Sequence, residues 1–184
     1  YTERDYEYII DDCTPTIILI SNKIQYEKII NIIPKKDFIK KIIFFEGIEN
    51  IDKKLNLKIQ DIFKRNNSNK KNFFDLKIQR RNMACIIYTS GTQGKPKGVM
   101  LSHGGILNNC EGAYELLKTF ISKKPKFLTW LPLSHSYEHT VQFVQIVVGA
   151  RVFYAESIDK LIKNMSDCSP EIMTAVPRFY QNLH

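Results

Sequence analysis

A chain of 184 residues with 43% hydrophobic and 25% charged residues can bury one sizeable core, which predicts a single soluble domain or part of one. No apolar run reaches the roughly 18 to 20 residues that cross a bilayer, and the N-terminus lacks the basic-then-apolar layout of a signal peptide, so a cytoplasmic protein is expected. The net charge of +8 would suit a nucleic acid or an anionic membrane, but Lys35, Lys36, Lys40, Lys41, Lys53 and Lys54 are interspersed with Ile, Asn and acids, and no nucleic-acid-binding module is recognisable. Such an Ile/Lys/Asn bias is what an AT-rich coding sequence produces. Cys13, Cys85, Cys110 and Cys168 stand far apart with no Cys-x-x-Cys, as expected of reduced structural thiols. The start at Tyr1 without an initiator Met and the stop at His184 within an apolar-periodic segment both fit an internal piece of a longer protein.

In chain order, Thr16–Ser21 is a short apolar run of strand type, followed by a helical pattern over Tyr26–Ile33. Lys41–Glu46 is a second such run, Leu57–Lys64 predicts a helix, and the polar stretch Arg65–Asn72 predicts a surface loop and an internal boundary. Beyond it, Met83–Tyr88 predicts a buried strand, then a glycine-rich turn and a helix from about Gly105 to Thr119. Strands are expected at Phe127–Leu131, Arg151–Ala155 and Glu171–Ala175, with helices at Glu138–Val148 and Ile158–Met165 between them. Alternation of this kind predicts an α/β layer fold with a largely parallel sheet and flanking helices.

The segment that carries chemistry is Tyr88-Thr-Ser-Gly-Thr-Gln-Gly-Lys-Pro-Lys-Gly98, directly after an apolar strand. Gly91, Gly94 and Gly98 let the backbone turn and approach a ligand closely. Thr89, Ser90 and Thr92 offer hydroxyls, Gln93 an amide, and Lys95 and Lys97 positive charge around Pro96. A bare glycine turn would be a flexible link; hydroxyls, glycines and lysines together suit a polyphosphate. Neither the Walker A pattern nor the Gly-x-Gly-x-x-Gly dinucleotide fingerprint can be laid over these residues.

The segment resembles the signature Tyr-Thr-Ser-Gly-Thr-x-Gly-x-Pro-Lys-Gly of the adenylate-forming superfamily, with Gln93 where Thr or Ser is commoner. Gly98–His103 continues that signature, Leu131-Pro-Leu-Ser-His-Ser-Tyr-Glu-His139 resembles the next family motif, and Thr174-Ala-Val-Pro-Arg178 the one beyond. The Leu-Pro-Leu-Ser-His-x-x-Glu form and Tyr154–Ser157 are most similar to bacterial-type long-chain acyl-CoA synthetases. The resemblance is strong over 83–184 and weak over 1–72, and implies part of the large N-terminal AMP-binding domain.

The histidines allow a rival reading, because His135-Ser-Tyr-Glu-His139 also fits the inverted zinc-protease pattern His-x-x-Glu-His. Against it, Pro132 and Ser134 place the helix start near His135, and no third ligand is marked. The resemblance gives His135 a catalytic place beside the acyl-adenylate, with Tyr137 and Glu138 lining the same pocket. His103 is expected to fix the loop-to-helix junction. Trp130 and the stripe Val141, Val144, Val147 and Val148 are expected in the core.

What the resemblance implies is a two-step ligase using ATP, Mg2+ and coenzyme A: a fatty carboxylate is adenylated, then transferred to the CoA thiol. Residues 89–98 would grip the ATP phosphates, and Thr89 would also reach magnesium. The alternatives are an aryl-acid or peptide-synthetase type of adenylate-forming ligase, or a non-catalytic phosphate-binding protein. No Tyr-Gly-x-Thr-Glu segment, ribose-binding Asp or C-terminal domain with its catalytic Lys is found in these residues, so the 184-residue chain alone is expected to be inactive. Peripheral association with a membrane would suit an enzyme of greasy substrates, although no segment encodes it.

Overall fold

The computed structural model of the chain describes residues 1–45, 56–64, 76–89 and 95–181. They belong to two units: Tyr1–Leu76 with Ser90–Pro96, and Lys77–Thr89 with Lys97–His184.

In the first unit, helix α1 (Glu3–Cys13) opens on a reciprocal cap: Thr2 Oγ1 accepts from the Asp5 N–H at 3.3 Å, and Asp5 Oδ2 accepts from the Thr2 N–H at 2.7 Å. Strands β1 (Ile17–Ile20), β2 (Lys41–Phe44) and β3 (Asn56–Lys58) pair in parallel in that order. Helix α2 (Lys23–Ile29), capped by Asn22 Oδ1 on the Gln25 N–H at 3.0 Å, makes the crossover from β1 to β2. Ile10, Ile20, Ile29, Ile42 and Phe44 form the buried core. Helix α3 (Ile59–Lys64) follows β3 directly. The helical pattern over 57–64 therefore yields at its start, because Leu57 and Lys58 pair with Ile43 and Phe44 as a sheet edge. The expected loop at Arg65–Asn72 lies outside the described residues.

The second unit opens with an antiparallel pair, β4 (Met83–Thr89) and β5 (Lys97–Ser102). Helix α4 (His103–Leu117) follows at once, with Ser102 Oγ accepting from the Gly105 N–H at 3.1 Å as its cap. A three-stranded parallel sheet comes next, in the order β7 (Arg151–Tyr154), β6 (Lys126–Thr129), β8 (Ile172–Met173). Helix α5 (Ser136–Val147) links β6 to β7, α6 (Leu161–Cys168) links β7 to β8, and α7 (Pro177–Gln181) follows β8. Central β6 buries Phe127, Leu128 and Thr129, as expected of a strand covered on both faces. Ile106 and Cys110 of α4 pack with Val144 of α5, while Leu128, Leu161 and Cys168 form a second cluster.

The α/β fold with parallel sheets and flanking helices is as expected; besides β3, two further elements are new and two burial assignments are corrected. Neither α1 nor β5 is anticipated by periodicity. β4 is half-buried, not buried, because its sheet has two strands. On α5, Val144 is buried and Val141 and Val148 half-buried, but Val147 is 49% exposed; Gln145 is buried instead. The four cysteines are free thiols. Among the described residues, no helix is long and apolar enough to cross a membrane.

Glu171 ties the approach to β6 to the start of β8. Its carboxylate accepts from the Ser122 N–H and Oγ–H, both at 2.9 Å, and from the Lys126 N–H at 3.3 Å. The Ser122 N–H, then its hydroxyl, holds this carboxyl below the ordinary carboxylate range. A folded-state depression stabilises the fold above the unfolded carboxylate pKa, and is lost as pH falls through the folded one. Thermal unfolding of the chain and its Glu171→Ala variant should show a lower midpoint for the variant at pH 7 and a gap that closes towards pH 3; a gap constant across that range would contradict this assignment.

Candidate functional site

The glycine-rich segment includes the last residues of β4 and the first of β5. The ladder runs through Ile87↔Val99 and Tyr88↔Gly98 to Thr89↔Lys97, so the two residues that bracket the turn are direct cross-strand partners. Both are exposed, and the Lys97 ammonium has no ion pair among the described residues. Gly98 is required by packing: a Cβ there would meet Ile86 Cγ2 at 2.9 Å and the Tyr88 ring at 3.2 Å. The Tyr88 ring lies over the glycine and so helps fix the ladder's register.

Ser90, Gly91, Thr92, Gln93 and Gly94 lie outside the described residues. Lys95 and Pro96 belong to the first unit, where Pro96 is buried and the Lys95 ammonium stands 6.0 Å from the centroid of the Tyr8 ring.

The far end of the hairpin is held by α4. The His103 N–H donates to the Asn82 carbonyl at 3.0 Å and the Gly104 N–H to the Arg80 carbonyl at 2.6 Å. A Cβ on Gly104 would stand 2.9 Å from that carbonyl oxygen, so this approach needs glycine. His103 thus marks the strand-to-helix junction through its backbone.

The second cluster of candidates sits on the first turn of α5. His135 is the N-cap residue, with an extended backbone and no capping bond from its side chain. Its imidazole is exposed and takes no partner among the described residues, and Tyr137 is 59% exposed. Glu138 points the other way and has no exposed surface. Its Oε2 accepts from Thr174 Oγ1 at 2.5 Å and its Oε1 from Gln142 Nε2 at 3.3 Å.

Glu138 begins a polar stripe along the inward face of α5. Gln142 Nε2 and Gln145 Nε2 donate to Thr129 Oγ1 at 3.2 and 2.9 Å, and Gln142 Oε1 accepts from the Tyr154 hydroxyl at 2.9 Å. Gln145 Oε1 is buried without a partner among the described residues. Trp130, expected in the core, is half-buried against it, donates its indole N–H to the Thr174 carbonyl at 2.6 Å and packs on Phe179 at 5.2 Å between ring centroids.

The structure therefore gathers His135, Tyr137 and Glu138 on one helical turn but divides them between solvent and interior. It does not assemble the rival metal constellation: Glu138 is turned to Thr174, and His139 Nε2 lies 3.4 Å from Cys85 Sγ. No group of three or more His, Cys, Asp or Glu among the described residues could hold a metal ion. Burial pushes the Cys85 thiol above its ordinary range. Sequence reasoning missed Thr129, Gln142, Gln145 and Thr174 as partners of the site. The spacing Glu138, Gln142, Gln145, which is one helical face, was the available signal.

Comparison with known proteins bears on the whole chain. The model of the AMP-binding enzyme family matches residues 1–184. Long chain acyl-CoA synthetase 4 of Arabidopsis thaliana is 29% identical over 190 aligned residues, covering 97% of this chain and 28% of that protein. Human long-chain-fatty-acid–CoA ligase 1 is 30% identical over 104 residues, 55% of this chain and 15% of its own length. The chain thus spans less than a third of these curated relatives. Among solved structures, a long-chain-fatty-acid–CoA ligase of Archaeoglobus fulgidus superposes over all of this chain and 34% of its own, with a TM-score of 0.73 and 23% identity. A luciferase-like enzyme of the mealworm Zophobas morio does so over all of this chain and 41% of its own, with a TM-score of 0.77 and 16% identity. The two superpositions establish the fold, and the family match extends from the first residue to the last: the chain belongs to the AMP-binding enzyme family.

Proposed function

We propose that the protein to which this chain belongs is an ATP-dependent long-chain fatty acid–CoA ligase, and that these residues supply its phosphate-gripping hairpin and part of its acyl-carboxylate pocket. One observation carries the reading most directly: the β4–β5 ladder ends on the Thr89↔Lys97 pair, an exposed hydroxyl beside an ammonium that has no ion pair among the described residues, at either end of the glycine-rich segment. The names of the curated relatives favour long-chain acids over aryl or aminoacyl substrates.

In the first step a fatty carboxylate oxygen attacks the α-phosphorus of ATP. The bond from that phosphorus to the bridging oxygen of the β-phosphate breaks, giving acyl-AMP and pyrophosphate. In the second, the CoA thiol attacks the acyl carbon and AMP leaves.

Negative charge grows on pyrophosphate as it departs, and fixed donors aimed at it lower that barrier. Lys97 is the charged donor. The hydroxyls of Thr89, Ser90 and Thr92, the amide of Gln93, the Lys95 ammonium and the backbone N–H groups of Gly91, Gly94 and Gly98 complete the proposed grip, with Pro96, which has no N–H to donate, fixing the backbone between the two lysines. An exposed threonine hydroxyl suits a hard, oxygen-seeking cation, so Thr89 would hold Mg2+ together with phosphate oxygens. When bound, the ion supplies further neutralisation of phosphate charge. The exposed His135 and Tyr137 would face the acyl-adenylate.

ATP–pyrophosphate exchange by the full-length protein, offered acetate, an aromatic acid and a long-chain fatty acid in turn, should be driven by the long-chain acid and fall on the order of 10²-fold in Lys97→Ala. Exchange with a different acid would move the substrate class, and none with any acid would leave a non-catalytic phosphate-binding protein. The 184-residue chain alone should form no acyl-CoA when thioester is measured directly, since it lacks the adenine, ribose and catalytic-lysine motifs; thioester formation would show that those motifs are dispensable.

A further inference from the structure

Glu138 is the only buried acidic side chain among the described residues. Taking a carboxyl group out of water is costly unless its oxygens are hydrogen-bonded, and a well-packed apolar residue of similar volume is often no less stabilising. Burial here is by the second unit's own elements, and both oxygens have donors.

Those bonds are directional. Glu138 lies three residues beyond His135, while Thr174 follows β8 and lies 36 residues further along the chain. The Thr174 carbonyl in turn takes the indole N–H of Trp130, the residue after β6. The carboxyl group thus fastens the first turn of α5 to the segment leaving the C-terminal end of β8, which the Trp130 indole ties in turn to the segment leaving adjacent β6. Ligands of open α/β sheets bind beyond those strand ends.

We infer that Glu138 is a positioning residue, not a contact for substrate: locked on Thr174, it sets the His135 turn against the strand ends and so shapes the subsite that receives the fatty carboxylate. The inference rests on the ligase reading above and adds to it the residue pair that holds the acid-binding side in place. Thr174 is a further positioning residue by the same bond. The phosphate side, carried by the hairpin, is untouched by it.

In the full-length protein, Thr174→Val keeps the shape and removes the hydroxyl, Thr174→Ser keeps the hydroxyl, and Glu138→Gln removes the charge. Exchange kinetics with the long-chain acid should show kcat/KM for that acid down about tenfold in Thr174→Val, as for the loss of one hydrogen bond to a charged group. The KM for ATP should stay within about twofold, and Thr174→Ser should restore the wild-type value. In a His135→Ala background, Thr174→Val should add little, because both act through one group.

Hydrogen exchange supplies a readout independent of activity. The amides of His139, which bonds to the His135 carbonyl, and Thr140 should exchange faster in Thr174→Val and in Glu138→Gln, and return to wild-type rates in Thr174→Ser. Unchanged exchange at those amides, a lowered thermal midpoint with wild-type kinetic constants, or a full tenfold loss in the His135→Ala background would each overturn the positioning role. A wild-type protein that adenylates no acid would overturn the ligase reading instead, while the amide measurement still decides whether the bond holds the turn.

Discussion

The antiparallel pairing of β4 with β5 is the constraint on which the rest of the candidate site depends. Every other pairing between described strands is parallel, and parallel neighbours need a crossover of a dozen or more residues. An antiparallel pair can turn back within a few residues, so here seven residues separate Thr89 from Lys97. Thr89 and Lys97, which flank the glycine-rich segment, are thereby held by a hydrogen-bonded ladder. The far end of the same ladder is fixed by the Asn82 and Arg80 carbonyls on the start of α4. A segment whose two ends are fixed has less conformational entropy to lose on meeting a ligand than one whose ends are free.

A second constraint is chemical. The face of α5 towards β6 carries Glu138, Gln142 and Gln145, and its neighbouring face carries Val144 against α4. Two kinds of packing therefore share one helix. The apolar contact has no preferred register beyond shape, whereas the bonds to Thr129 and Thr174 are satisfied in one rotation and one axial position of the helix. Gln145 Oε1 is the one buried side-chain polar atom without a partner among the described residues.

Much of this was legible in the chain. Met83–Tyr88 and Phe127–Leu131 read as strands because β-branched and apolar residues cluster there between turn residues, and the loop between Tyr88 and Gly98 is a composition that few non-ligand turns share. β5 was hidden because Lys97-Gly-Val-Met-Leu-Ser102 has no clean alternation: Val99 and Met100 are consecutive and both exposed. Its partner, not its own pattern, makes it a strand. α1 was missed although Thr2 and Asp5 stand at capping-box spacing, since Glu3–Cys13 buries only Ile10. Leu57 and Lys58 went the other way, from helical pattern to sheet edge, by the same tertiary override.

The misread positions on α5 are instructive in a different way. A pattern rule assigns the inward face to Val147 and leaves Gln145 outside, and the structure reverses them because Thr129 offers Gln145 a partner that no local window contains. The same holds for Glu138, whose donor lies 36 residues away. Periodicity sees hydrophobicity, which is additive and local; a buried polar group is stable only through a specific partner, which is neither. Departures from local rules tend to collect where a fold is shaped for something other than stability. Here the buried polar departures, Glu138 and Gln145, lie on the face of α5 that bonds to Thr129 at the end of β6 and to Thr174 just after β8.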